Sequence, residues 1–173
     1  MLAETMARKV RMLVLDVDGV LTDGGLYYDF QGMITKRFNV QDGFGIKLAQ
    51  AAGLEVAVIT GLDSQAVQER IAELGVYEYH AGFKEKIPLL KGICERNKLE
   101  FTQLAYLGDD WVDAGVLSRV GLPMAVANAQ PEIKALAAWI SNFSGGNGAV
   151  REAVRFILQA QDKLEPMWQK WKA

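Results

Sequence analysis

Asp16 and Asp18 stand two apart at the end of a short apolar run, residues 12–17, and Gly19 and Val20 follow them. Thr60-Gly61 closes a second such run, Gly108-Asp109-Asp110 with Asp113 closes a third, and Lys86 opens a stretch of helical spacing. If the runs are parallel strands, their carboxyl ends share one edge of the sheet, where ligands bind in such folds. Asp16, Asp18 and Asp109 then converge, and their mutual repulsion calls for a cation. An all-oxygen donor set with no histidine or cysteine suits a hard ion, and Mg²⁺ best.

These residue types match phosphoryl transfer. Asp16 can attack phosphorus and form an aspartyl-phosphate, dividing a hard hydrolysis into two easier steps. Asp18 can protonate the departing alcohol and then activate the water that releases phosphate. Thr60 and Lys86 offer a hydroxyl and a positive charge to the phosphoryl oxygens. Other chemistries lack their residues. A calcium loop starting at Asp16 needs an oxygen ligand where Val20 stands; no Gly-x-x-x-x-Gly-Lys-[Ser/Thr] occurs; and Gly145-Gly146-Asn147-Gly148 lacks dinucleotide spacing.

The elements that must position these groups alternate. Apolar runs at 12–17, 55–60, 77–80, 103–107, 123–127 and 139–141 read as strands. Helical spacing covers 45–52, 64–74, 86–96, 112–120 and 132–138. This is the pattern of an α/β fold, a Rossmann-like parallel sheet with helices on both faces, in one domain spanning 1–173. Residues 25–38, two β-prone runs about Gly32, read as a β-hairpin projecting from the sheet. The tail, 163–173, carries Pro166, Trp168 and Trp171 and reads either as a docking helix or as a frayed end. His80 is expected to make a local hydrogen bond, and Cys94 to lie in the core.

Composition narrows the class. The 173 residues carry 19 Lys+Arg against 21 Asp+Glu, a formal net charge of −2, and 50% are hydrophobic. A chain of this length buries roughly 70% of its unfolded surface and needs no disulfide or structural metal to fold. No basic run is long enough to grip a phosphate backbone, no apolar stretch approaches a membrane span, and no signal peptide is evident. The expectation is a cytoplasmic protein with no nucleic-acid or membrane partner.

In this order, Asp-x-Asp-Gly-Val, Ile-Thr-Gly, Lys and Gly-Asp-Asp-x-x-Asp resemble the four motifs of the haloacid dehalogenase superfamily of phosphatases. Residues 21–24, 38–47 and 145–152 further resemble its 3-deoxy-D-manno-octulosonate 8-phosphate phosphatases, and the likeness covers about 10–162. The resemblance implies Asp16 as nucleophile and metal ligand, Asp18 as acid/base and metal ligand through its carbonyl, and Asp109 as the third ligand, with Asp113 in support. It places Asn39, Val40, Gln41, Asp42, Gly43, Lys47, Gly61, Arg70 and Lys86, with Asp18, around a sugar-acid phosphate. Leu62 departs from the arginine usual after Thr-Gly, and Gln41 stands where an arginine is often found. Related phosphatases of nine-carbon keto-deoxy sugar acids also lack the arginine after Thr-Gly, although with Glu in place of Leu62, which brings them into view.

Many members of this superfamily insert a cap domain between motifs. Here 18–60 has room for only the hairpin, one helix and one strand, and 60–86 for one helix and one short strand. A capless site needs another means of closure. The resemblance implies a homotetramer whose hairpins pack into a barrel, and Tyr27, Tyr28, Phe30 and Met33 suit such burial. A phospho-accepting receiver domain would lack the catalytic acid at position 18. A non-catalytic scaffold would have no need to keep Asp16, Asp18, Lys86 and Asp109.

Overall fold

The computed structural model of the chain describes residues 2–173. The elements run α1 (Leu2–Ala7), β1 (Met12–Leu15), β2 (Tyr27–Tyr28), β3 (Ile34–Thr35), α2 (Val40–Ala51), β4 (Glu55–Thr60), α3 (Gln65–Leu74) and β5 (Glu78–Ala81). They continue with α4 (Lys86–Asn97), β6 (Leu104–Gly108), α5 (Ala114–Leu117), β7 (Leu122–Ala125), α6 (Pro131–Leu136), β8 (Trp139–Ile140), α7 (Ala149–Ala160) and α8 (Leu164–Lys172).

Six strands form one parallel sheet in the order β5-β4-β1-β6-β7-β8. β1 pairs on both sides, Met12 with Glu55 and with Leu104, and all four of its side chains are buried. A strand covered on both faces gains from an uninterrupted apolar run, which is why Met-Leu-Val-Leu does not alternate. From β1 the chain steps outward through β4 to β5, then crosses back to β6 on the other side. That reversal opens a crevice beyond the carboxyl ends of β1, β4 and β6. α2 packs against α7 and α3 on one face, and α4 against α5 and α5 against α6 on the other.

The expected strands are all present, β4 with the bounds expected and the others with shifted ends. β1 stops at Leu15, so Asp16 and Val17 lie beyond it, although the Asp16 amide still bonds the Leu107 carbonyl at 3.2 Å. α2 begins five residues before the helical spacing suggests, because the Asn39 side chain accepts the Gln41 amide at 2.7 Å and caps it. Gly43 and Gly45 interrupt the apolar spacing there for a packing reason: a Cβ on Gly45 would meet the Arg151 Cα of α7 at 3.0 Å. The helix expected at 112–120 is a 3₁₀ turn, Trp111–Asp113, followed by the single turn of α5.

α7 has no counterpart among the expected helices, yet Val150, Ala153, Val154, Ile157 and Leu158 line one buried face. The hairpin is present as β2 and β3, paired antiparallel, with a Thr22–Phe38 bridge at its base. The tail forms α8, whose Trp171 meets the Phe44 ring edge-on at 5.0 Å. Among the described residues no helix is long and apolar enough to cross a membrane.

At the sheet edge, Glu78 of β5 accepts from Arg96 at 2.8 Å, Asn97 at 2.9 Å and pairs with His80 at 3.0 Å, tying β5 to α4. The Arg96 hydrogen bond leads the interactions that bring the Glu78 carboxyl down to about 2, against a burial effect in the other direction. The native carboxyl thus titrates below the unfolded one, so its stabilisation is complete above about pH 4.5 and is lost as pH falls through about 2. Glu78→Gln is expected to lower unfolding free energy by about 1 kcal/mol at pH 7, after solvent screening, and by almost nothing near pH 2. Urea melts of both chains across that range measure it.

Candidate active site

The crevice at the carboxyl ends holds an acidic cluster organised by one buried lysine. Lys86, in the first turn of α4, extends its ammonium to Asp16 Oδ1 at 2.7 Å, Asp113 Oδ1 at 2.7 Å and Tyr106 Oη at 2.9 Å. Its three N–H groups are all taken. Tyr106 donates in turn to Asp113 Oδ1 at 2.6 Å. The other Asp113 oxygen accepts the Asp109 amide at 2.9 Å and the Asp110 amide at 3.4 Å, which holds the loop after β6 in place. Asp113 is fully buried.

Ligand oxygens of Asp16, Asp109 and Asp113 lie within 4.8 Å of one another. Asp109 Oδ1 is buried without a partner. Burial first, then the charge of Asp113, raises the Asp16 carboxyl to about 7 against the pull of Lys86. Burial, then Asp16, Asp113 and Asp110, raises Asp109 to about 8. Burial works against the Lys86 charge as well, but Asp16 and Asp113 together outweigh it and hold its ammonium above the usual lysine range. Two carboxyls raised by burial and by neighbouring acids, one with an orphaned oxygen, form a site short of positive charge. The all-oxygen donors fit a hard divalent ion.

Backbone supports this approach. Gly19 has φ of +88°, and a Cβ there would run into the Asp109 carboxylate, so glycine lets the loop after β1 lie against the loop after β6. The Gly146 amide bonds the Val20 carbonyl at 2.9 Å, bringing the glycine-rich loop before α7 onto the same turn. Thr60 is buried at the end of β4; its hydroxyl accepts the Leu62 amide at 3.4 Å and its carbonyl the Phe83 amide at 3.3 Å. Gly61 follows with open space beside it.

The Asp18 carboxylate does not join the cluster. It turns to Lys36, with Nζ to Oδ1 at 2.5 Å, so the carboxylate expected from Asp18 in the acidic group is supplied by Asp113. The reason is position: three residues beyond the strand the chain has already turned, and a cation from the hairpin waits there.

The residues expected around a substrate divide. Asn39, Val40 and Gln41 sit at the first turn of α2, on the same end of the sheet as the cluster, with Val40 and Gln41 exposed. Asp42 is buried, and both its oxygens are used on α7, accepting the Gly148 amide at 3.1 Å and the Arg151 amide at 2.9 Å. It caps a helix and is turned away from the crevice. Gly43 lies under the Arg70 guanidinium, which bonds Glu73 at 2.8 Å. Lys47 is carried by α2 to the opposite end of the sheet, beside Gly75, where it lines a cavity of about 610 Å³ with Glu55 and Glu78. Arg151 and Glu152 form no ion pair with each other. Arg151 stacks over Phe44 at 5.0 Å, and Glu152 accepts from Ser141 and Asn142.

Lys36 and Tyr106 were missed from sequence. For Tyr106 a signal existed: one hydroxyl in an otherwise aliphatic buried strand must find a partner. For Lys36 there was none, because a lysine after a short β-run is ordinarily solvated.

A family model for haloacid dehalogenase-like hydrolases matches residues 80–153. The chain belongs to that family and is a phosphoric monoester hydrolase. It is 41% identical over 161 residues to the 3-deoxy-D-manno-octulosonate 8-phosphate phosphatase KdsC of Salmonella typhi, covering 93% of this chain and 86% of that protein. Among solved structures, the corresponding phosphatase of Moraxella catarrhalis, in complex with magnesium, phosphate and a KDO molecule, superposes with a TM-score of 0.95 at 34% identity, covering 98% of this chain and 97% of that one. The cobalt-bound Haemophilus influenzae phosphatase gives 0.89 at 39%, covering 92% and 93%.

Two outcomes follow from this geometry. With metal chelated at pH 8, Asp109→Asn is expected to stabilise the chain by about 1 kcal/mol or more, because the native carboxyl is raised and its charge opposes folding above its ordinary range. The same substitution should remove the stabilisation that added divalent ion confers, and thermal melts with and without Mg²⁺ read both. Asp42→Ala, by freeing two α7 amides, is expected to cost about 2 kcal/mol in urea denaturation while leaving KM unchanged within about twofold.

Proposed function

We propose that the chain hydrolyses a 2-keto-3-deoxy sugar acid phosphate, with 3-deoxy-D-manno-octulosonate 8-phosphate giving KDO and phosphate as the best-supported substrate. The observation that carries the reading is the clamp of Lys86 on Asp16 and Asp113 beside the orphaned oxygen of Asp109, with Asp18 held separately. The name of the KdsC relative and the ligands in the Moraxella structure support the substrate class.

In the mechanism, an Asp16 carboxylate oxygen attacks phosphorus, the new O–P bond forms, and the ester O–P bond breaks. Asp18 gives its proton to the departing alcohol oxygen. Water then attacks the aspartyl-phosphate as Asp18 takes its proton back; phosphate leaves and Asp16 is restored. Lys86 keeps Asp16 oriented from behind through a bond made at the free-enzyme stage. Thr60, buried at the end of β4, would offer its hydroxyl to the phosphoryl oxygens. Mg²⁺, held by Asp16, Asp109 and the Asp18 carbonyl, would neutralise charge on the nucleophile and the phosphoryl group.

No cap covers the crevice, and the hairpin leaves Phe30 95% exposed with Tyr27, Tyr28 and Met33 also open. We assign this apolar surface to a homotetramer in which a neighbouring subunit closes each site.

Steady phosphate release that requires Mg²⁺ and falls by at least about 10³-fold (about 4 kcal/mol) in Asp16→Asn is the expected result. Eight-carbon and nine-carbon keto-deoxy acid phosphates and hexose phosphates should be compared side by side. Leu62, 47% exposed after Gly61, removes the cation usual there, so a preference for the nine-carbon ester would move the assignment to that substrate. A wide preference for hexose phosphates would overturn the sugar-acid reading and leave the phosphatase.

A further inference from the structure

Two lysines reach this site, and they differ in how their donors are used. Lys86 spends its three N–H groups on Asp16, Asp113 and Tyr106. Lys36 has a side chain only 1% exposed and makes one hydrogen bond, to Asp18 Oδ1. Among the described residues no second protein acceptor lies within bonding distance of its ammonium. Burying an ammonium with two unused donors is costly unless further acceptors arrive.

The backbone at Lys36 is held on both sides. β3 ends at Thr35 immediately before it, and Phe38 bridges Thr22 just beyond. The neighbouring Arg37 bonds the Gly146 carbonyl at 3.2 Å and Asn147 Oδ1 at 3.1 Å, anchoring the hairpin base to the glycine-rich loop. The lysine is therefore delivered to Asp18 by a braced segment, whereas the Asp18 side chain itself is 28% exposed.

We propose that Lys36 is a positioning residue for Asp18: from its buried place in the hairpin base it holds the Asp18 carboxyl group at the leaving-group side of the crevice. The inference rests on the acid/base role given to Asp18 above. Lys86 then serves the nucleophile, and Lys36 the leaving group.

The discriminating measurement is leaving-group dependence. p-Nitrophenolate departs without needing a proton, whereas a sugar or alkyl alcohol needs one. Lys36→Met is expected to lower kcat/KM, which covers the step in which the leaving group departs and not the later release of phosphate, by roughly 10²-fold on an alkyl phosphate and by less than about threefold on p-nitrophenyl phosphate. Lys36→Arg, which keeps the cation and displaces it slightly, should recover part of the alkyl-ester activity. Should Lys36→Met not fold, Lys36→Arg carries the test, with a smaller loss in the same direction. Equal losses on both substrates, or none, would overturn the role of Lys36. Read on kcat/KM, and so on that same first half-reaction, Asp18→Asn separates the two levels: if it shows the leaving-group bias and the Lys36 variants do not, only Lys36 falls. If Asp18→Asn shows no bias, the acid/base reading of Asp18 falls and this inference with it.

Discussion

A single buried ammonium organises this protein's chemistry. Lys86 links the residue after β1, the interior of β6 and the loop after β6 through Asp16, Tyr106 and Asp113. Removing one partner from such a buried network commonly costs about 3–5 kcal/mol, because the charges left behind have no water to turn to. The two carboxylates on Lys86 are not equivalent. Asp113 spends its remaining oxygen on backbone amides and is structural, whereas Asp16 bonds Lys86 through Oδ1 and faces Asp109 in the acidic group. One lysine thus fixes the loop architecture and orients the nucleophile.

The rest of the site follows from an imbalance of charge. Asp16 and Asp109 are both raised toward neutrality by burial and by neighbouring acids, and Lys86 alone cannot compensate them. An enzyme that must place a dianionic phosphate beside these carboxylates needs more positive charge than its own side chains bring to the cluster. The orphaned oxygen of Asp109 marks where it is missing. Without a cap, desolvation must come from what the crevice itself buries and from whatever covers the exposed hairpin. The hairpin consequently has two tasks: its tip presents aromatic surface, and its base carries Lys36 to Asp18.

Much of this was readable in the residues. The continuous apolar runs marked the strands because both faces of a parallel sheet are covered, and Asp16, Thr60, Lys86 and Asp109 stood where strands end or helices begin. α7 is a strongly amphipathic helix that the reading passed over, although its periodicity was present. Asp42 and Lys47 show how one helix separates residues that lie close in sequence. Both lie on α2 in a segment that resembles substrate-binding residues, yet a helix turns about 100° per residue and rises 1.5 Å. Asp42 accordingly faces α7, and Lys47 lies too far along the axis.

The amino-acid order by itself determined the α/β class, the chemical inventory at the strand ends and the absence of room for a cap, because these depend on local periodicity and on chain length between motifs. Only the tertiary structure decided that Asp113 and not Asp18 lends its carboxylate to the acidic group, that Tyr106 completes the clamp on Lys86, and that a hairpin lysine meets Asp18. Those pairings, taken with the Lys86–Asp16 bond of the clamp, join residues 18 to 70 positions apart. They are set by which way each side chain faces once the strands are in register, a property of the packed sheet that no local spacing encodes.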